Sequence, residues 1–370
     1  MTRRGWAAFA AMSILWGIPY LFIKVAVDDG VPPAFVAWVR VVLAAAILLA
    51  LARRAGSLPS LRGHGRWLAL YALLEIAIPF PLIAAGEQHV ASSLAAIVIA
   101  AVPLIIALLA IRFDSAERAT GRRLVGLLIG LAGVVVLMGI DVAGKRDEML
   151  GAGAILLAAV GYAAGPMILK RKLSTLDPRA TMGASLAIAG VVLTPFAALA
   201  PPDATPDADV LISLAVLGIA CTALAFVIFG ALIAEIGPGR ALVITYVNPV
   251  IAVALGVTIL GERPGAGAVA GLLLIIAGSW LSTDGRLPPG LLHALGGRRR
   301  RGGQQAAQSS VSPAIRRSKP AGAWMLNMRT GVLPRLLKPW GTPGGTSTNV
   351  PGGAATGPSS SSKVISPSTM

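Results

Sequence analysis

Long apolar runs, separated by short polar connections, dominate the first 283 residues of the chain. A helix that crosses about 30 Å of hydrocarbon needs about 20 mostly apolar residues, and ten runs reach that length. The ten runs cover residues 7–27, 33–52, 67–85, 90–110, 123–140, 151–169, 180–200, 210–233, 240–260 and 266–283. In hydrocarbon each backbone must complete its hydrogen bonds within its own segment. The pattern therefore predicts an all-α integral membrane protein with ten transmembrane helices.

The composition agrees with lipid as the main solvent of this surface. Of the 370 residues, 55% are apolar and only 13% are charged, whereas charged residues make up about 25% of an ordinary soluble domain. The first run follows Arg3 and Arg4 and continues to Val27 without a small-x-small cleavage site. That length and context indicate a membrane span and not a cleaved signal peptide.

The formal net charge of +16 comes mainly from the C-terminal tail, residues 285–370. This tail has 12 Lys and Arg and no acidic residue, which leaves 20 basic and 16 acidic residues in the other 284. The sequence therefore predicts no nucleic-acid groove on the folded part. A tail rich in Gly, Ser, Pro and Arg is expected to be disordered. It contains a basic run that anchors the topology or binds anionic lipid headgroups, namely Arg298, Arg299, Arg300 and Arg301.

The distribution of Lys and Arg among the connections predicts the orientation. With the N-terminus in the cytoplasm, 15 basic residues before the tail fall on the cytoplasmic side and 3 on the opposite side. The positive-inside rule favours this arrangement. The chain is therefore expected to be a multi-pass protein of the cell membrane with both termini in the cytoplasm.

An internal repeat divides the chain. Pro103 and Pro249 are 146 residues apart, and Glu117 and Glu262 are 145 apart. Further pairs at these two spacings are Trp16/Tyr162, Lys24/Lys170, Gly126/Gly271 and Gly133/Gly278. The predicted domains are a five-helix repeat at 1–145, a second at 146–284, and the tail at 285–370. Because five is odd, the second repeat is inverted, an arrangement typical of secondary transporters with a site near the midplane.

Several short motifs resemble the ten-helix members of the drug/metabolite transporter superfamily, which have paired EamA-type repeats. The motifs are Leu15-Trp16-Gly17, Arg40, Gly237-Pro238-Gly239-Arg240-Ala241, Tyr246-Val247-Asn248-Pro249-Val250, Leu260-Gly261-Glu262-Arg263, Gly271 and Gly278. The resemblance covers about residues 7–283. The first half departs from it at Asp114-Ser115-Ala116-Glu117, where the family has Leu-Gly-Glu. It implies a bacterial-type carrier of small metabolites, often an exporter of amino acids and related compounds.

Two opposite charges lie within the predicted spans. Arg40 is near the middle of the second span and Glu75 near the middle of the third. Charges at membrane depth are costly and mark functional candidates. One interpretation is a static ion pair that joins the two helices. The other is that Glu75 faces a cavity, where it binds a substrate ammonium or takes up a proton, because low dielectric favours the neutral carboxyl.

The remaining candidate substrate-binding residues are Trp16, Tyr71, Tyr162, Tyr246 and Asn248. The aromatic residues could line a cavity and stack on an organic cation, or simply pack between helices. Asn248 precedes Pro249, which lacks an N–H and so frees a carbonyl within its helix.

The predicted function is secondary transport of small, amino-acid-like metabolites across the plasma membrane by alternating access, with export as the direction. No Gly-x-x-x-x-Gly-Lys-Ser/Thr, His-Glu-x-x-His or Gly-x-Ser-x-Gly motif is present, so neither ATP drive nor enzymatic activity is expected. No cofactor or metal is expected. A homodimer is compatible with the architecture. The alternative function is a membrane scaffold or signalling protein that acts through the basic tail.

Overall fold

The computed structural model describes residues 2–113, 121–236 and 244–282, and within these ranges the secondary structure is helical without strands. Eight helices are long and apolar enough to cross a membrane, and two shorter apolar helices follow. We label them α1 Arg3–Asp28, α2 Pro33–Arg54, α3 Gly65–Glu87, α4 Ser92–Leu109, α5 Arg122–Val142, α6 Arg146–Leu173, α7 Pro178–Leu199, α8 Ala208–Glu235, α9 Ile244–Thr258 and α10 Ala266–Ser282. The fold class predicted from the apolar pattern is confirmed.

The helix ends differ from the predicted spans by a few residues. α6 begins five residues earlier than predicted, at Arg146, because Asp147 and Glu148 occupy its first turn, where acidic side chains favour the helix dipole. α9 is described from Ile244 onwards, and residues 237–243 lie outside the described part. The predicted tail from residue 285, with its run Arg298–Arg301, also lies outside it.

Proline interrupts three of the helices, as expected for a residue that lacks an N–H and clashes with the preceding turn. α1 breaks at Ile18, before Pro19, and α4 breaks at residues 100–101, before Pro103. In α3 the turn before Pro79 widens into a π-helical segment, Leu73–Ala77, in which the N–H of Ile78 donates to the Leu73 carbonyl at 3.1 Å. In contrast, α9 continues through Pro249.

A second π-helical segment, Val216–Leu224, occupies the middle of α8. Shifting Leu73–Ala77 by the repeat spacing of 146 places it inside this segment, so the two irregular turns fall at matching positions of the two halves. The Thr222 hydroxyl donates to the Leu217 carbonyl at 2.8 Å. Single π turns within helices frequently accompany functional sites.

Two closely packed helix pairs flank the centre of the protein. α2 packs along α7, and α5 packs along α10. Glycines bring α5 and α10 into backbone contact, because a Cβ at Gly278 would collide with the backbone of Gly126 and Gly130. Small residues of this kind allow close approach of helices in a membrane.

The other six helices form two groups, which we call the first bundle (α3, α4 and α6) and the second bundle (α1, α8 and α9). In the first bundle α6 packs against both α3 and α4, and in the second α1 packs against both α8 and α9. The α2/α7 pair contacts helices of both bundles, and so does α10. The interface between the bundles is therefore the centre of the protein.

The described residues of the two bundles make their main contacts near one face. We call the face where α1 begins the Arg3 face and the face where α1 ends the Asp28 face. Near the Asp28 face, Pro19–Asp28 packs against Pro79–Glu87 and Ser92–Ile99, and α9 packs against Ser92–Ile99 as well. Towards the Arg3 face, Arg3–Gly17 makes no comparable contact with the first bundle among the described residues.

Candidate functional site

Arg40 lies where the two bundles and the α2/α7 pair come together. Its side chain projects from α2 and is 9% exposed. The Nε–H donates to the Thr222 hydroxyl of α8 at 2.9 Å, and the guanidinium carbon lies 4.0 Å from the centre of the Phe80 ring of α3. Arg40 therefore touches one helix of each bundle. Its two terminal nitrogens make no hydrogen bond to any described residue, so they remain available to a ligand.

Glu75 does not pair with Arg40. Within the described residues no ion pair joins the two side chains, so the static pair that the sequence left open is absent. The π-helical turn of α3 instead directs Glu75 onto Gly165 of α6, where a Cβ would collide with its carboxylate. Oε2 is buried without a hydrogen-bond partner among the described residues. The residue as a whole is only half-buried.

Two tyrosines lie close to Arg40. Tyr162 of α6 is half-buried and packs against hydrophobic clusters that include residues of α2 and α3. Tyr20 follows the proline break in α1 and interacts electrostatically with both Arg40 and Tyr162. Sequence reasoning selected Tyr162 but missed Tyr20. The feature of the sequence that could have identified Tyr20 is its position directly after Pro19, where the helix is interrupted.

Trp16 belongs to an aromatic group within the second bundle. Its ring centre lies 4.7 Å from that of Phe229 and 6.1 Å from that of Phe226, both in α8. These separations are those of favourable aromatic pairs. Trp16 is half-buried and lies one turn from Tyr20, on the side towards the Arg3 face. Its described ring contacts are therefore with α8, within the second bundle.

Two other sequence candidates take part in helix packing. The Tyr71 hydroxyl is buried and donates to the Met182 sulfur of α7 at 3.4 Å. The Asn248 amide is oriented so that its nitrogen faces two backbone carbonyls. This nitrogen donates to the Ile244 carbonyl at 2.9 Å and to the Ser13 carbonyl of α1 at 3.2 Å. Asn248 thus joins α9 to α1. The side chain of the last candidate, Tyr246, lies outside the described part.

The groups around Arg40 suit a small polar organic molecule. Unused guanidinium N–H groups favour carboxylate or phosphate oxygens, and aromatic faces favour flat or cationic groups. Glu75 provides an acceptor for an ammonium. No group of three or more His, Cys, Asp or Glu side chains that could hold a metal ion occurs among the described residues.

A carboxylate closes the bundle interface at the Asp28 face. Glu262, in the turn between α9 and α10, accepts hydrogen bonds from the backbone N–H of Ser92 at 2.7 Å and of Ser93 at 3.0 Å. It therefore caps the first turn of α4 from the opposite half of the chain, where the helix has unsatisfied N–H groups and partial positive charge. The repeat mate Glu117 lies outside the described residues.

Removing this cap is expected to destabilise the protein modestly. We expect Glu262→Ala to lower the unfolding free energy by about 1–2 kcal/mol, because two N–H groups lose a charged acceptor. Thermal unfolding of the purified protein in detergent measures the change. The control is Arg263→Ala, because Arg263 is the exposed neighbour in the same turn. Equal unfolding temperatures for the two variants would show that the cap contributes nothing.

Comparison with known proteins adds three findings. The model of the EamA-like transporter family matches residues 3–139 and again residues 149–283. The "Uncharacterized inner membrane transporter YedA" of Escherichia coli K12 is 33% identical over 261 residues, which cover 69% of this chain and 82% of that protein. The "Probable amino-acid metabolite efflux pump" of the same organism is 26% identical over 298 residues, 77% of this chain and 96% of that protein.

A solved crystal structure shares the fold. Its TM-score is 0.55 at 20% sequence identity, and the match covers 77% of this chain and 98% of that chain. At this level of identity the likeness concerns the fold alone. It agrees with the all-helical architecture described above.

Proposed function

The chain belongs to the EamA-like transporter family, and on that premise we propose that it exports small amino-acid-like metabolites by alternating access. The observation that carries this proposal is the asymmetric contact between the bundles. They touch at the Asp28 face, and their described residues lack comparable contact towards the Arg3 face, with Arg40 between them. A central site open to one side only is what alternating access requires of one of its two states.

The proposed orientation places the Arg3 face in the cytoplasm. The excess of Lys and Arg in the connections on that side supports it. In this orientation the face with fewer contacts between the described parts of the bundles is the cytoplasmic one, which is the side from which an exporter would take up its substrate. The family match to two consecutive segments, 3–139 and 149–283, supports the division into two repeats near residue 146. An opposite state then follows from exchanging the conformations of the inverted halves.

The proposed substrate class rests on the chemistry at Arg40. The free guanidinium nitrogens would bind a carboxylate, and Glu75 with the tyrosines would receive the amine or side chain of the same molecule. Similarity to the "Probable amino-acid metabolite efflux pump" of Escherichia coli supports the same class. The family assignment also makes this chain a transporter and not an enzyme.

The experiment compares metabolites inside and outside cells that make the protein. Cells with the full chain, cells with an empty vector and cells with a chain truncated at residue 284 are grown at matched membrane levels of protein. We expect at least one amino-acid-like compound to accumulate in the medium with both forms of the protein. If only the full chain has an effect, the scaffold alternative through residues 285–370 is favoured. If neither form changes any compound, export is contradicted.

A further inference from the structure

Glu87, which sequence reasoning overlooked, is the most isolated ionisable group among the described residues. It is the last residue of α3 and is 0% exposed. Neither of its carboxylate oxygens has a hydrogen-bond partner in the described part of the chain. Burying an unpaired carboxylate costs several kcal/mol, and proteins avoid that cost by keeping the group protonated.

The nearest cation is engaged elsewhere. The ammonium of Lys24, in α1, donates to the backbone carbonyl of Glu87 at 2.8 Å and forms an ion pair with Asp28, also at 2.8 Å. It therefore holds the end of α3 against the end of α1. No ion pair links it to the Glu87 carboxylate among the described residues.

The other ionisable groups near Glu87 come from α1, from α2 and from the turn between α9 and α10. Glu262 and Asp28 are acidic and disfavour a further negative charge, whereas Lys24 and Arg40 favour it. The Tyr20 hydroxyl is the remaining neighbour. Because neither Lys24 nor Arg40 forms an ion pair with this carboxylate among the described residues, the surroundings favour the neutral carboxyl while this face is closed.

The position of Glu87 connects its protonation to the conformation. Gly86, the preceding residue, packs directly against Gly151 and Ile155 of α6, which fixes this end of α3 within the first bundle. On the other side, Pro79–Glu87 packs against Pro19–Asp28 of the second bundle. Separation of the bundles at the Asp28 face would therefore expose Glu87 to water.

We propose that Glu87 is a proton-binding site that controls closure of the Asp28 face. When the bundles separate there, the O–H bond of the Glu87 carboxyl breaks, its electron pair stays on the oxygen and the proton passes to water. Closure requires the reverse step, because the carboxylate cannot re-enter the dry interface without a proton. This inference rests on the proposed alternating access. It adds that the proton concentration on the Asp28 side determines how easily the transporter returns to the state described here.

The test measures conformation without a substrate, so that it can succeed or fail independently of the export proposal. Spin labels on Asp29→Cys and His89→Cys report the separation of α1 from the α3–α4 turn, in a Cys221→Ser background. Asp29 and His89 are exposed, and Cys221 is buried. The distance distribution is recorded by pulsed electron paramagnetic resonance, from acidic to alkaline buffer, with sodium and then with potassium as the only added cation.

We expect the longer-distance population to grow as pH rises, by up to about tenfold per pH unit, the limit for one linked proton. Glu87→Gln should remove this dependence and favour the short distance. Glu87→Asp, which keeps a titratable group, should retain it, and Glu75→Gln should also retain it.

Three results would overturn the proposal. The first is a pH dependence that persists unchanged in Glu87→Gln. The second is a distance distribution that does not respond to pH in the spin-labelled protein that retains Glu87. The third is a distribution that responds to sodium at constant pH, since that would identify the ligand as a metal ion. Matched thermal unfolding of the Gln and Asp variants establishes that each is folded.

Discussion

Arg40→Ala is expected to reduce export by about a hundredfold at matched membrane levels of protein. The guanidinium joins α2 to Thr222 in one bundle and to Phe80 in the other. A hydrogen bond from a charged group contributes about 1.5–3 kcal/mol, and a desolvated cation–π contact contributes about 2 kcal/mol. Losing either contact lowers the population of the state described here by roughly tenfold or more, since about 1.4 kcal/mol is a factor of ten in an equilibrium constant.

Two further variants separate the parts of this effect. Arg40→Lys keeps the charge but loses the planar fork and the Nε–H, so we expect a loss of about tenfold. Thr222→Val keeps Arg40 and removes the hydroxyl that accepts from Nε and donates to the Leu217 carbonyl. Arg62→Ala, at an exposed arginine of the α2–α3 connection, serves as the control and should export normally. Export by Arg40→Ala at the rate of the Arg62→Ala control would remove Arg40 from the site.

Gly278→Val is expected to have the largest effect on stability. A Cβ at this position of α10 would collide with backbone atoms of Gly126 and Gly130 in α5. Backbone cannot rotate away as a side chain can, so the helices must separate. Overpacking typically costs about 1–3 kcal/mol and occasionally more, and contact with the backbone of two residues of α5 favours the upper end. Little folded protein should therefore reach the membrane.

The matched control is Gly230→Val in α8, where a Cβ would meet no atom within 4 Å. Both substitutions add the same side chain to a helix of similar apolar character. The measurement is the yield of monodisperse protein and its unfolding temperature in detergent. Similar yields and temperatures for the two variants would be inconsistent with a close-packed α5/α10 pair.

The ten helices could be predicted from sequence because a membrane span depends on length and apolar character, which are local properties. The breaks before Pro19 and Pro103 followed from the chemistry of proline alone. Pro249 shows the limit of that reasoning, since α9 continues through it. The Asn248 amide instead joins α9 to α1 through the carbonyls of Ile244 and Ser13.

The contacts within the site could not be predicted in the same way. A helix that is apolar on all sides has no pattern that fixes its rotation, so the opposite charges of Arg40 and Glu75 suggested a partnership that the structure lacks. Thr222, the actual partner of Arg40, is a neutral residue in a distant helix. Glu87 was missed because the predicted span ended at residue 85. Its burial depends on the final turn of α3, and helix ends are the least certain part of a prediction from sequence.

The central claim is that transport requires the bundles to separate at the Asp28 face, and a reversible crosslink there tests it most directly. A Cβ at Gly256 of α9 would lie 3.2 Å from the hydroxyl oxygen of Ser92 in α4, which suits the geometry of a disulfide. Ser92→Cys and Gly256→Cys are combined with Cys221→Ser. Each single cysteine variant serves as a control for the displaced Glu262 carboxylate, which also lies near Gly256.

Export of a compound that accumulates in the medium in the metabolite comparison is measured before and after reduction. Mass spectrometry determines the extent of crosslinking. We expect that the disulfide-crosslinked protein does not export and that reduction restores export to the rate of the single-cysteine controls. Export by the fully crosslinked protein at the rate of the reduced protein would contradict alternating access through this face.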